Sequence, residues 1–281
     1  MPDPDRLLTT LRHAAHVWKA TPGRVGRIVH LTGVREVLVC GDLHGNIENF
    51  RLLLKRADLA AQPRRHLVLQ EVVHGAFRYP DGGDKSHQLL DLTAALTCQF
   101  PGRVHFLLGN HELAQWQGQR IGKGDEDYNE MFRRGIEAAY GPRAGDIYTA
   151  YLDLFAAAPL IVRTANRVCV SHSLPAARHL DKFSRADWER PELRPQDTRL
   201  GGCVHALVWD RDTSVATAST FLQMLDADLL ITGHIPCDTG YTVPNERQII
   251  LDAVKTPACF CLFPTDRPLT QQDLIAGIGT L

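Results

Sequence analysis

No apolar stretch in this 281-residue chain approaches the ~20 residues that a membrane-spanning helix needs, so the sequence offers no such segment. Nor is there an excess of charge of one sign. The 31 Lys and Arg against 32 Asp and Glu remove the bulk attraction expected of a nucleic-acid binder, leaving room only for a local basic pocket. The stretch Met1 to Leu8 places acids and prolines ahead of any apolar run and does not read as a secretory signal. The seven cysteines (Cys40, Cys98, Cys169, Cys203, Cys237, Cys259 and Cys261) are odd in number and contain no Cys-x-x-Cys pair, which argues against a disulfide framework and a zinc ribbon. Cys40 and Cys169 lie inside apolar runs and read as small core residues, and a reducing, cytoplasmic setting fits. Internal repeats, low-complexity tracts and linkers are missing, so one domain over 1–281 is expected, with 1–34 accessory to a core of about 35–263. Neither a membrane nor a nucleic-acid partner is expected, and composition leaves the oligomeric state open.

What is present is an alternation of helical and strand patterns. Residues 4–20 carry Leu7, Leu8, Leu11, Ala14, Ala15 and Trp18 at helical spacing and stop at Thr21-Pro22-Gly23. A strand over 37–41, a helix over about 47–58, a strand around 66–69, a helix over 87–99 with Ser86 as its N-cap, and a strand over 104–108 follow. Residues 113–158 read as helical with polar loops. Strands are then expected at 160–162, 167–171, 229–232, 248–251 and 258–263, with a helix at 215–226. The Pro-, Arg- and Asp-rich segment 174–204 reads as a long surface excursion. This order predicts an α/β fold with helices outside the sheets.

Three of the apolar runs end in residues that bind metals: Gly41-Asp42-Leu43-His44-Gly45-Asn46, Gly109-Asn110-His111-Glu112 and Gly233-His234. His172 ends a fourth. Ligands at the carboxyl ends of several strands converge on one crevice in an open α/β sheet. Carboxylate, imidazole and amide oxygen suit a hard or borderline divalent ion. Asn110 offers an amide oxygen to such an ion, while His111, one residue on, points elsewhere and is free to protonate a leaving group. The turn-rich loop Tyr79 to His87 and the Lys123 to Asp127 loop are polar connections near the same crevice, and Gly82-Gly83 is too short to cradle a phosphate.

In this order the motifs resemble the calcineurin-like metallophosphoesterases, and among them the phosphoprotein phosphatases and diadenosine tetraphosphate hydrolases. That family runs Asp-x-His-Gly, Gly-Asp-x-x-Asp-Arg-Gly, Gly-Asn-His-Glu, a His after a strand, then Gly-His. Gly41 to Asn46, Gly109 to Glu112, Ser171-His172 and Gly233-His234 match four of the five. Ala206 to Asp210, Arg211-Asp212, Gly240-Tyr241 and Phe155 to Leu160 are fainter echoes, so the resemblance spans roughly 35–263. It implies two mixed β-sheets packed as a sandwich flanked by helices. It also implies two divalent ions (Mn²⁺, Fe²⁺ or Zn²⁺) sharing a bridging hydroxide that attacks a phosphoester directly, with no phosphoenzyme. One ion would be held by Asp42, His44 and Glu71, the other by Glu71, Asn110, His172 and His234. His111 would be the general acid, and Arg211, His74 and Tyr241 would contact the phosphorylated substrate.

The second motif departs from the family: Leu69-Gln70-Glu71-Val72-Val73-His74-Gly75 stands in its place. Matching the final glycine puts Gln70 at the metal-bridging position and His74 at the phosphate-binding Arg. Matching the apolar strand puts Glu71 at the bridge and His74 at the second Asp. Electrostatics favour Glu71, because a neutral amide leaves two dications at close range with repulsion of roughly several kcal/mol even at an effective dielectric near ~20. The activity implied is a serine/threonine-phosphatase-like phosphomonoesterase. A diadenosine polyphosphate or nucleotide hydrolase shares the same centre. A third reading, suggested by the altered segment, is a catalytically weak relative that binds phosphate or a protein partner.

Overall fold

The computed structural model describes residues 3–281; Met1 and Pro2, the start of the stretch read as carrying no leader, lie outside the described residues. The described residues form twelve strands: β1 (Arg24–Val25), β2 (Ile28–Leu31), β3 (Glu36–Cys40), β4 (Arg65–Gln70), β5 (Val104–Leu107), β6 (Ile161–Thr164), β7 (Val168–Ser171), β8 (Leu229–Thr232), β9 (Tyr241–Asn245), β10 (Gln248–Leu251), β11 (Cys259–Pro264) and β12 (Ile278–Thr280). They make a seven-stranded sheet in the order β1-β2-β6-β7-β8-β10-β9 and a five-stranded sheet in the order β12-β11-β3-β4-β5. Both sheets are mixed: β3, β4 and β5 run parallel, as do β7, β8 and β10 and the pair β2 and β6, while β6 with β7, β1 with β2, β9 with β10, and β11 with both its neighbours are antiparallel.

Successive side chains of a strand face opposite ways, and here both ways are buried. Val37 and Val39 of β3, Val168 and Val170 of β7, and Leu229 and Ile231 of β8 share one apolar cluster between the sheets. The alternate residues Leu38, Cys40, Cys169 and Leu230 belong to a second cluster under the helices. That is why these strands read as unbroken apolar runs. The amphipathic helix Pro4–Lys19 packs its Leu7, Leu11 and Trp18 face on helices Ala144–Ala157 and His87–Gln99. Among the described residues no helix is long and apolar enough to cross a membrane, and all seven cysteines are free.

Three local expectations are corrected. Residues 24–31, set outside the core by the sequence reading, supply β1 and β2, and β2 pairs with β6 inside the larger sheet. Ser86 precedes the helix His87–Gln99 but makes no side-chain cap; its hydroxyl donates to Asp84 Oδ2 (2.8 Å) and accepts from the His74 N–H (2.9 Å). The 174–204 excursion holds short helices and a fully buried Trp188, whose indole N–H donates to the Cys203 carbonyl (3.2 Å).

Candidate metal centre

Because β3, β4 and β5 are parallel in one sheet and β7 and β8 in the other, their carboxyl ends deliver five loops to one place. The loops are shaped by close backbone approach. Gly41 lies so near Leu251 that an added Cβ would sit 2.5 Å from its carbonyl, and a Cβ on Gly233 would sit 2.3 Å from Asp42 Oδ1. Of the seven non-glycine residues with positive φ among the described residues, four are here: His44, Glu71, His74 and His234. Such backbone is sparsely populated and costs roughly 1–3 kcal/mol per residue, so it persists where the surroundings over-determine it. The surroundings do so. The N–H groups of Leu43 and His44 donate to the Glu71 carbonyl (2.9 and 3.0 Å), and that of Gly45 to the Val72 carbonyl (2.8 Å). The buried Glu112 carboxylate accepts from the N–H groups of Val72 (2.9 Å) and Val73 (3.2 Å).

The result is a buried cluster of alternating acceptors and imidazoles. Two groups of potential ligand atoms, His44–Glu71–His111 and Glu71–His172–His234, each lie within 4.8 Å of one another and share Glu71. His172 Nε2 is 3.3 Å from Glu71 Oε2 and 3.0 Å from Asn110 Oδ1, and its Nδ1 is 3.8 Å from Asp42 Oδ1. The His111 N–H donates to Glu71 Oε1 (3.0 Å) and the His234 N–H to Asp42 Oδ2 (2.8 Å). Three imidazoles are oriented through one ring nitrogen, which leaves the other to face the cluster. His44 Nδ1–H donates to the Val73 carbonyl (2.9 Å), His234 Nε2–H to the Trp209 carbonyl (3.2 Å), and His172 Nδ1–H to Gln70 Oε1 (3.2 Å).

The donor set fits divalent ions on two further observations. Asp42 Oδ1 is buried without a hydrogen-bond partner, the kind of orphan that an unseen ion explains. The electrostatics also call for positive charge. Burial and then the nearby Glu71 push the Asp42 carboxyl up to about 8. Burial pushes Glu71 up too, but His172, His111 and His44 outweigh it and hold its carboxyl well below the usual range. Burial lowers His172, yet Glu71 and Asp42 override it and raise the imidazole to about 9. A ring among four acceptor oxygens is thus held as a cation, and a dication between the two carboxylates would remove the penalty for ionising both.

The residues read from the sequence are not all placed alike. Asp42, His44, Glu71, Asn110, His111, His172 and His234 come together, with His111 beside Glu71 and His44 where the sequence reading set Asp42. Gln70 spends its amide on His172 (3.2 Å) and the Cys40 carbonyl (3.1 Å), while Glu71 is common to both groups of carboxylate and imidazole ligands. His74 is buried and bonds to His111 instead of lining the open cavity. Arg211 is exposed and close enough for its charge to lower His234. Tyr241 is half-buried in edge strand β9 against the cluster between the sheets, and is not among the cavity residues. A cavity of about 430 Å³ opens over Asp42, His44 and His234, with Asp238, Asp252 and Lys255 on its wall. Sequence reasoning passed over Glu112 and Gln115. Glu112 stood in a quoted motif without a role, and Gln115 has the one available signal of lying one helical turn after His111.

The calcineurin-like phosphoesterase family profile matches residues 35–238, and the chain belongs to that family. A probable serine/threonine-protein phosphatase of Encephalitozoon cuniculi is 26% identical over 240 residues, covering 79% of this chain and 47% of its own length. The chain therefore spans about half the length of that curated relative. Among solved structures, a Saccharomyces cerevisiae serine/threonine phosphatase described as similar to human phosphatase PP5 superposes with a TM-score of 0.72 at 15% identity, covering 97% of this chain and 86% of that one. A cold-active protein-tyrosine phosphatase of a psychrophilic Shewanella follows at 0.59 and 16%, covering 90% and 82%. At these identities the structures establish a shared metallophosphatase fold.

Proposed function

We propose that this chain is a metal-dependent phosphomonoesterase of the serine/threonine-phosphatase type. The observation that carries the reading is the pair of ligand groups, His44–Glu71–His111 and Glu71–His172–His234, that share Glu71 at the strand ends. The relative named as a probable serine/threonine-protein phosphatase supports the choice of substrate class. Asp42, His44 and Glu71 would hold one divalent ion, and Glu71, Asn110, His172 and His234 the other. Bound there, the ions supply Lewis-acid polarisation of the phosphoryl oxygens and an activated water at neutral pH.

The chain's own residues do the rest. Arg211, exposed and near enough to His234 for its charge to act there, would set a guanidinium fork against the non-bridging phosphate oxygens. His111 would donate its ring proton to the leaving alkoxide oxygen as the phosphorus–oxygen bond breaks, so that a neutral alcohol departs. No cysteine or serine needs to act as nucleophile: the Cys40 and Cys169 thiols are buried, which pushes Cys169 up to about 12.

The test is hydrolysis of a phosphoserine peptide beside diadenosine tetraphosphate, by protein reconstituted with Mn²⁺. Release of phosphate from the peptide at the higher kcat/KM is expected. Preference for the dinucleotide would move the chain to the other hydrolase class, and bound metal without turnover of either would mark a binding protein.

A further inference from the structure

We infer that a second cavity, beside the β1–β2 hairpin, binds a small phosphorylated molecule with a planar organic body. The cavity holds about 550 Å³ and is lined by Lys19, Arg24, Arg27, Trp116, Glu192 and Leu193. It shares no lining residue with the cavity over Asp42, so it stands apart from the metal centre. Its volume lies within the range of ligand pockets, about 300–1,000 Å³, and exceeds what a bare phosphate fills.

The wall gathers cations whose partners are main-chain carbonyls. Arg24 Nε donates to the Gly26 carbonyl (2.7 Å), and its Nη1 to those of Trp18 and Ala157 (both 2.8 Å). Arg27 gives Nη1 and Nη2 to the carbonyls of Ala158 and Ala156 (both 2.9 Å). Its side chain is buried, and its Nε–H has no partner. The Ala156 to Ala158 carbonyls close the helix Ala144–Ala157, whose end supplies roughly half a negative charge. Asp197 is already paired with Arg194 (2.7 Å), which leaves Glu192 as the carboxylate on the cavity wall among the described residues. Lys19, Arg24 and Arg27 together outweigh Glu192 and the helix end by roughly 1.5 charges. Burial pushes the Arg24 guanidinium down to about 10, and burial and then Arg24 do the same to Arg27, the mark of charge held without counter-charge. A phosphomonoester brings about −1.5 to −2 at neutral pH and three acceptor oxygens, a closer match than the single charge of a carboxylate.

The walls are fixed in place. Gly26 has a φ of +57°, and an added Cβ would collide with the Glu189 carbonyl, so the hairpin turn lies hard against the segment that supplies Glu192 and Leu193. The Arg27 N–H donates to the Trp188 carbonyl (2.9 Å) and locks the same contact. A wall that needs no ordering on binding loses little affinity to entropy. Trp116, on the helix Asn110–Gln117, and Leu193 are half-buried and pack on the core, giving the cavity its apolar part. An indole offers a π-face on which a planar ring stacks, which selects an aromatic ester over a bare anion.

The probe is a non-hydrolysable phosphonate analogue of adenosine monophosphate, titrated into metal-loaded protein in parallel with inorganic phosphate and followed by calorimetry and tryptophan fluorescence. Saturable binding is expected, about 10-fold or more tighter for the analogue than for phosphate. Trp116→Phe should abolish the fluorescence change. Lys19 and Glu192 are exposed, so charge changes there leave the fold intact. Lys19→Glu should weaken binding about 5-fold or more, and Glu192→Gln should tighten it about 2- to 5-fold. Absence of saturable binding at millimolar probe overturns the inference, as does phosphate binding as tightly as the analogue. So does an affinity that neither charge variant moves, which would place the probe at the metal centre. Binding is read without turnover, so the outcome is independent of the phosphatase assay.

Discussion

Replacing Gly233 by alanine adds one methyl group at the closest contact in the centre. The new Cβ would lie 2.3 Å from Asp42 Oδ1 and 2.9 Å from the amide of Gln70. Ordinary carbon–oxygen contact is near ~3.4 Å, so about 1 Å of movement is required. Gly233 is pinned at its own N–H by the His172 carbonyl (3.0 Å), and Gln70 braces both His172 and Cys40, so Asp42 is the group that yields. Moving it breaks the bond from the His234 N–H to Oδ2 (2.8 Å), a charged hydrogen bond worth about 1.5–3 kcal/mol. A misplacement of ~1 Å in a catalytic constellation costs about 100-fold in rate, or roughly 2.7 kcal/mol. Steady-state kinetics on a phosphopeptide should therefore show kcat/KM reduced about 100-fold or more, with metal content lowered by up to one ion per chain. Gly145→Ala is the control: a Cβ there meets nothing within 4 Å, and it lies in the helix Ala144–Ala157, so it should raise stability slightly and leave kinetics alone. A Gly233→Ala protein with wild-type kcat/KM and metal content would refute the geometry argued for Asp42.

Other outcomes follow from the same contacts. Asp42→Asn and His234→Ala should each lose most activity together with bound metal, measured by elemental analysis, whereas His111→Ala should lose turnover while retaining metal. Unchanged kcat of His111→Ala on a poor leaving group would remove His111 as the acid. Chelation should lower the melting temperature, because it returns Asp42 and Glu71 to mutual repulsion in a buried site; an unshifted melting curve after verified metal removal would count against the centre. Acid should destabilise the fold through His66 and His105, whose rings touch (Nδ1 to Nε2, 2.9 Å) on neighbouring strands. Burial holds His105 down at about 3 and His66 at about 4, with Arg103 adding to the latter. Both lie below the unfolded value of ~6.5, so the unfolded chain takes up protons first. Stability is full above that value and is lost as pH falls toward the folded pKa values, by about 2 kcal/mol per histidine at pH 5. Urea midpoints at pH 7.5 and 5 should show this, and a His66→Gln, His105→Gln double variant with the same pH slope would contradict it.

The strands that carry the site were legible because they are buried on both faces and so spell unbroken apolar runs that stop at glycine. The hairpin of β1 and β2 was not. Arg24 and Arg27 break its pattern, yet the buried Arg27 spends its guanidinium on the carbonyls of Ala156 and Ala158 (both 2.9 Å). The 174–204 segment looked solvated because its charges pair with each other, as Arg194 does with the buried Asp197 (2.7 Å), and cover Trp188. Ser86 has the right type and place for a cap, but its hydroxyl is claimed by the loop around His74. Glu71 was ambiguous by one position in the sequence, and the two ligand groups that share it are visible only in three dimensions. His74 was singled out by the motif's spacing as a substrate contact, but its bonds to His111 and Gln115, 37 and 41 residues away, are visible only in three dimensions.

Main-chain contacts hold the turn after β4: Glu112 grips Val72 and Val73, and the β3 loop grips Glu71 and Val72. Its lettering is therefore free to drift while its path stays put. A carboxylate one methylene longer, or an imidazole in an unaccustomed slot, is accommodated without rebuilding the crevice. Homologues of this kind will escape searches keyed to the wording of that one turn, and will surface when the query is the trace of the backbone itself.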